Sequence, residues 1–179
     1  MSIADTTEAC AGQLLQIAEL LDQLPGGRFA HCDDTVLGSS IGAHVRHILD
    51  HYDCLLDGVV SGSIDYACRS RDNRAETDVR YTRRRIAALI ERLRTLSFEA
   101  TTVLDVQHEP GSVGAPANRS SLGRELEFLM SHTAHHYALI AVLLNRFELP
   151  VPQDFGLAPS TVRHRASLPD CGDIGRGGR

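Results

Sequence analysis

Histidine is the residue whose number and spacing point to chemistry in this sequence. Six of the nine histidines fall in two short clusters: His44, His47 and His51, then His132, His135 and His136. Neutral imidazole is a ligand for zinc, nickel, copper or iron. In the second cluster, a rotation of about 100° per residue puts Leu122, Leu126, Leu129, Thr133, Ile140, Leu143 and Phe147 on one helix face. His136 falls inside that stripe and His132 at its edge, one turn earlier. His135 lies on the flank. His132 and His136 are thus an HxxxH pair that sets two imidazoles on adjacent turns, close enough to share an ion.

A tight site needs about three protein ligands, with a fourth position open to water or substrate if the site is catalytic. The segment SSIGAHVRHILDHY can supply the third. His44, His47 and His51 are spaced three and four apart and share one side of a helix. Phase sets His44 and His51 nearer the apolar stripe and His47 farther out, so periodicity leaves the choice among them open. A single histidine on an apolar face is usually a hydrogen-bonded core residue. Two clusters change that balance, because each buried imidazole without a partner costs free energy. Glu125 also lies on the inner face, where it reads as an acidic residue favoured by a helix N-terminus or as a hydrogen-bond acceptor or general base. Asp50 could orient a histidine ring, but its phase points to the outer face.

Four helices must position these groups. The first spans about Asp5 to Leu24, with Leu14, Ile17, Leu20, Leu21 and Leu24 at helical spacing, Thr6 or Thr7 as cap and Pro25-Gly26-Gly27 as stop. The second spans about Ser40 to Val60, capped by Ser39 or Ser40, with a stripe of Ile41, Val45, Ile48, Tyr52, Leu55 and Val59. The third spans about Arg74 to Leu96. Val79, Ile86, Leu89, Ile90, Leu93 and Leu96 define its inner side. Arg80, Arg83, Arg84, Arg92 and Arg94 form a solvated outer face with Asp78 and Glu91 as partners. The fourth spans about Ser120 to Phe147. Between the third and fourth, ATTVLDVQ reads as one short strand and HEPGSVGAPANR as a loop. The expected fold is all-α: an antiparallel four-helix bundle over residues 1–155 with a long connection between helices three and four. Residues 156–179 read as a polar, partly disordered tail.

Composition narrows the function classes. The 179 residues carry a formal net charge of −5, which argues against nucleic acid as the main partner. No apolar run reaches the length of a membrane span, and the first residues lack the order of a secretory signal, so the expected compartment is the cytoplasm. The five cysteines, Cys10, Cys32, Cys54, Cys68 and Cys171, are scattered without a CxxC pair. Neither a disulfide framework nor a cysteine zinc site is expected, and Cys54 reads as buried filler.

With SIGAHVRHILDHY on the second helix and SHTAHHYALIAVLL on the fourth, the sequence resembles the DinB-like (DinB/YfiT) superfamily of bacterial four-helix proteins. The resemblance covers roughly the first 150 residues and implies His47, His132 and His136 as the ligands of one divalent metal ion, zinc or nickel first, iron or copper next. IDYACRSRDNRAETD resembles the IDYxxRxRDxxxExD segment of one uncharacterised branch, which makes Tyr66, Arg69 and Arg71 candidate substrate contacts. The plainer reading of that segment is a loop held by Arg–carboxylate pairs. Relatives often follow their last histidines with Gly-Gln, where this chain has Tyr137-Ala138-Leu139.

The family's activities imply a metal-dependent enzyme of thiol S-transferase or hydrolase type, with a low-molecular-weight thiol as co-substrate, a small-molecule partner and pairing into a homodimer. No catalytic residue is assigned, and no cysteine of the chain is needed as nucleophile. Two other functions fit the same residues. One is a non-catalytic metal-binding or stress-response module, favoured by a closed site with His44 or His51 as fourth ligand. The other is a metal-free bundle whose histidines sense pH.

Overall fold

The computed structural model describes residues 2–34, 38–107, 117–157 and 159–167. The chain is mostly helical. Helix α1 (Ile3–Gln23) opens on a reciprocal cap: the Asp5 N–H donates to Ser2 Oγ at 3.1 Å and the Ser2 N–H to Asp5 Oδ2 at 3.0 Å. Such a capping box satisfies two of the N–H groups that a helix start leaves orphaned. The helix therefore begins at Ser2 rather than at Thr6 or Thr7. Helix α2 (Ile41–Ser61) is capped by Ser40 and ends at Gly62, whose φ of 76° suits a residue without Cβ.

The third predicted helix is two helices, α3 (Arg74–Thr77) and α4 (Val79–Arg94). Asp78 makes the break. Its backbone is extended, and its carboxylate accepts from the Tyr81 N–H at 3.0 Å. A short acidic side chain competes for backbone donors in this way, capping a new helix rather than continuing the old one. Helix α5 (Leu122–Arg146) starts on Ser121 as N-cap. Helix α6 (Pro159–Ser167) lies in the stretch read as an aperiodic tail. The DCGDIGRGGR end, Cys171 and most of the HEPGSVGAPANR loop fall outside the described residues.

One strand was expected, and among the described residues three form: β1 (Ser63–Asp65), β2 (Val103–Gln107) and β3 (Asn118–Ser121). Their order is β1-β2-β3, with β1 parallel and β3 antiparallel to β2. Ile64 pairs with Val106 and Leu104 with Ser120. Ile64, Leu104 and Val106 turn their side chains into the core. ATTVLDVQ alternates as a strand should, and β2 is the result. β1 has three residues and β3 is Asn-Arg-Ser-Ser, too short or too polar for periodicity to register.

Helices α1 and α4 pack on each other, α5 packs on both α1 and α2, and α2 also meets α3, α4 and β1. The whole predicted stripe of α2, from Ile41 to Val59, is buried. So are Leu14, Ile17, Leu20 and Leu21 of α1, and Ile86, Leu89, Ile90 and Leu93 of α4. The start of α2 is pinned by a close approach: a Cβ on Gly42 would sit 2.1 Å from the Glu76 carbonyl oxygen of α3. No helix among the described residues is long and apolar enough to cross a membrane.

Candidate metal centre

The two histidine clusters meet where α2 packs on α5. His44 and His51 are buried. His47, His132 and His136 are half-buried, and His135 is exposed. His47 is the hub. Its ring centroid lies 4.4 Å from His51, 4.9 Å from His132 and 4.5 Å from His136. His132 lies 4.2 Å from His51 and 4.6 Å from His136. Helical phase puts His47 farther out than its neighbours, and that outward offset carries its ring to α5.

His47, His51 and His132 each offer one ring nitrogen, and these three atoms lie within 4.8 Å of one another. His136 stands beside that set, and its Nδ1 is 3.1 Å from Nδ1 of His44. Hydrogen bonding fixes some tautomers. His51 Nδ1 is 2.8 Å from the His47 carbonyl oxygen, so it carries the proton and donates, leaving Nε2 as acceptor. The Nε2 atoms of His132 and His44 are buried without a hydrogen-bond partner. Orphaned buried nitrogens are costly unless something else engages them, and a metal ion accepting the His132 lone pair fits that requirement.

The rings are held neutral. Burial first, then the like charge of His51, His136, His132 and Arg69, pushes His47 down to about 2. Burial foremost, then the charge of His51, His135 and Arg69, brings His132 to about 4, and burial, then His132, His44, His135 and His51, brings His136 to about 3. Burial and then His135 lower His44. Neutral imidazole is the form that ligates.

The segment after β1 reaches this cluster. Tyr66 is buried and stacks on His51 at 5.4 Å. Its hydroxyl donates to Glu125 Oε2 at 3.0 Å, and the Ser120 hydroxyl donates to Glu125 Oε1 at 2.6 Å. Glu125 is therefore a buried acceptor in the first turn of α5, which joins two of the roles its position allowed. Phe128 covers the site from the same helix, 5.6 Å from His132 and 5.5 Å from Tyr66. Arg69 donates to the Tyr66 carbonyl, and its Nη1 lies 3.4 Å from His51 Nε2. The segment is thus not only a loop held by Arg–carboxylate pairs. Arg71 is exposed, with φ at 50°.

Two sequence expectations are corrected here. Asp50 does not face solvent: it is 1% exposed. It pairs with Arg46 and Arg85, each at 3.2 Å, and accepts from the Ser70 hydroxyl at 3.4 Å. Its side of α2 is covered by α3 and α4. The arginine run of α4 draws its carboxylates mainly from other helices, Asp22 and Glu8 of α1 and Asp53 and Asp57 of α2. Four acidic residues on neighbouring helices answer a run that looked self-contained. Cys54, expected as buried filler, is only half-buried against the core, with its thiol pushed up to about 11 by burial.

Fold and site together describe a helical protein with imidazoles from two helices gathered at one point. The sequence profile of the DinB superfamily matches residues 6–140. The chain belongs to the DinB superfamily. It is also 35% identical, over 104 residues, to FK506-binding protein 5 of Rhizopus delemar. That alignment covers 56% of this chain and 27% of the relative, so the chain spans about a quarter of the relative's length. No solved structure matches the chain.

Proposed function

We propose that this protein binds one divalent metal ion through His47, His132 and His136, with α1, α2, α4 and α5 as an antiparallel four-helix bundle around it. The observation that carries the reading is the meeting of these three rings from two helices, with the His132 Nε2 buried and unpartnered. His136 is preferred to His51 on hydrogen-bond grounds. The Nε2 lone pair of His51 faces the Arg69 guanidinium, whose charge opposes a cation at that nitrogen. His136 can donate from Nδ1 to His44 Nδ1 and keep its own Nε2 lone pair, the tautomer in which a supported metal ligand is found. The all-nitrogen donor set suits zinc or nickel.

A divalent ion in this position acts as a Lewis acid and lowers the pKa of a thiol or water that it binds. That supports an enzyme of thiol S-transferase or hydrolase type. His44 orients His136. Tyr66 and Phe128 wall the site and limit water, and Glu125 holds the Tyr66 hydroxyl in place. The tight grouping of His47, His51 and His132 favours a second reading, in which His51 closes the site as a fourth ligand and the protein is a non-catalytic metal module. The FK506 binding named for the Rhizopus delemar relative is not carried over, because only 27% of that protein is shared.

Metal content of tag-free protein tests the first step. The reading expects about one equivalent of zinc or nickel in the wild type, lost in both His132→Ala and His136→Ala. Protein that takes up neither metal when supplied, or that keeps a full equivalent through both substitutions, overturns it. Turnover of a small electrophile with added low-molecular-weight thiol, abolished by a chelator, separates the enzyme from the module.

A further inference from the structure

We propose that Arg69 forms an anion-binding position beside the histidine cluster, and that the site takes a small ligand carrying a carboxylate. The proposal rests on the metal reading above and adds the chemical class of the ligand.

The argument begins with how the arginines near α2 are neutralised. Arg46 pairs with Asp50 and Glu76. Arg85 pairs with Asp50 and Asp53. Arg69, half-buried like them, pairs with no carboxylate among the described residues. Its Nη1 is directed to the Tyr66 carbonyl and to His51 Nε2. Its Nε is buried and has no hydrogen-bond partner. A half-buried guanidinium that no carboxylate among the described residues pairs directly is an unusual arrangement, because partial desolvation of a cation is normally offset by a paired anion.

The nearby acids are already engaged. Asp65 feels the Arg69 charge, but its carboxylate accepts from the Ala67 N–H at 2.8 Å and from the Cys68 thiol. Glu125 accepts from Tyr66 and Ser120. Asp50 is held by Arg46, Arg85 and Ser70. His51 cannot serve as the counter-charge, since an imidazole ring supplies no negative charge, and its Nε2 lies 3.4 Å from Arg69 Nη1. A divalent ion on neutral histidines would add two further positive charges to a site that contains no carboxylate ligand of its own. The missing component is an anion.

The shape of the donor set selects its chemistry. With Nη1 directed to the carbonyl and the ring, the edge of the guanidinium that carries the unpartnered Nε–H is the side-on edge. Two parallel N–H groups there match the two oxygens of a carboxylate. Arg69 Nη1 lies 3.4 Å from His51 Nε2, and the His51 ring lies 4.4 Å from His47 and 4.2 Å from His132, so a ligand anchored on Arg69 starts one ring away from that pair. A short thiol with a carboxylate a few atoms away would engage both.

Cobalt(II) as the probe metal, with mercaptoacetate and 2-mercaptoethanol as probe ligands, tests this. The two thiols differ in a carboxylate against a hydroxymethyl group. In cobalt-loaded wild type, the visible spectrum should report mercaptoacetate binding at least tenfold tighter than 2-mercaptoethanol. Arg69→Gln should bring the two thiols to parity while leaving cobalt affinity no weaker. Arg69→Lys, which keeps the charge and loses the fork, should retain part of the preference and guards against a folding defect in Arg69→Gln. A preference undiminished in Arg69→Gln, or absent in wild type, overturns the proposal. If wild type takes up no cobalt, the metal reading fails on its own. Thermal shift of the metal-free protein by mercaptoacetate then decides the anion position: an Arg69-dependent shift supports it, and no shift overturns it.

Discussion

The ring centroids of His47 and His132 lie 4.9 Å apart although the residues are 85 positions apart in sequence and on different helices. That pair is the shared edge of two triangles. His51 completes one, at 4.4 and 4.2 Å, and His136 completes the other, at 4.5 and 4.6 Å. An ion held by the pair has two candidates for its third ligand, and their hydrogen bonding differs.

The first prediction separates the triangles. Zinc competition titrations should show His47→Ala, His132→Ala and His136→Ala each losing more than the roughly 10–100-fold that removal of a supporting hydrogen bond costs. His51→Ala should lose less than tenfold. The reverse order for His51 and His136 would assign the ion to the other triangle.

Metal removal should lower stability without unfolding the chain, because the buried stripes of α1, α2, α4 and α5 do not depend on the ion. At a metal concentration about 100 times Kd the linkage contribution is about 2.7 kcal/mol. For a domain of this size that corresponds to a fall in Tm of roughly 5–10 °C on chelation. Coincident Tm values with and without chelator, measured on metal-analysed samples, would refute it.

Asp50→Asn should be strongly destabilising. The Asp50 side chain is fully shielded and answers both Arg46 and Arg85, and breaking a buried pair costs about 3–5 kcal/mol. Urea denaturation measures the loss. At saturating zinc the folded fraction should still bind one equivalent, because Asp50 is engaged by Arg46, Arg85 and Ser70 and serves to fix α2 against α4.

Gly42→Ala tests the close approach of α2 to α3. The added methyl meets the Glu76 carbonyl oxygen, which is backbone and cannot rotate away. Overpacking of this kind costs about 1–3 kcal/mol. Displacement of the α2 start should also weaken zinc binding through His44 and His47, a coupling that Tm and zinc titration together would detect.

Peptide-resolved alkylation addresses the cysteines. Cys10 is buried, and desolvation pushes its thiol up to about 12. At pH 8 its thiolate fraction is roughly one in ten thousand, so iodoacetamide should leave it unmodified while exposed Cys32 and Cys68 react. The sign is fixed by burial: raising the pH toward 9 should still spare Cys10. Alkylation at Cys32 and Cys68 should leave zinc stoichiometry unchanged, since no cysteine is a proposed ligand.

Much of this molecule is legible in its sequence, for a local reason. A helix repeats every 3.6 residues, so the side chains that share a face are written in the order of residues. That is why the α2 and α5 stripes, the HxxxH pair and the inward position of Glu125 follow from spacing, and why Ser40 could be named as a cap. What spacing could not supply is the neighbour. Asp50 lies outside the apolar stripe of α2, yet it is buried because Arg85 of α4 and Arg46 converge on it. His47 also lies off the stripe, yet it is the hub, because α5 packs on that flank. Tyr66 and Arg69 reach His51 because β1 pairs in parallel with β2, a contact between segments some forty residues apart that leaves no periodic trace. The sequence by itself determined which residues could ligate and which helices would carry them. The packing of α5 on α2, and of a three-residue strand on its distant partner, decided which of them meet.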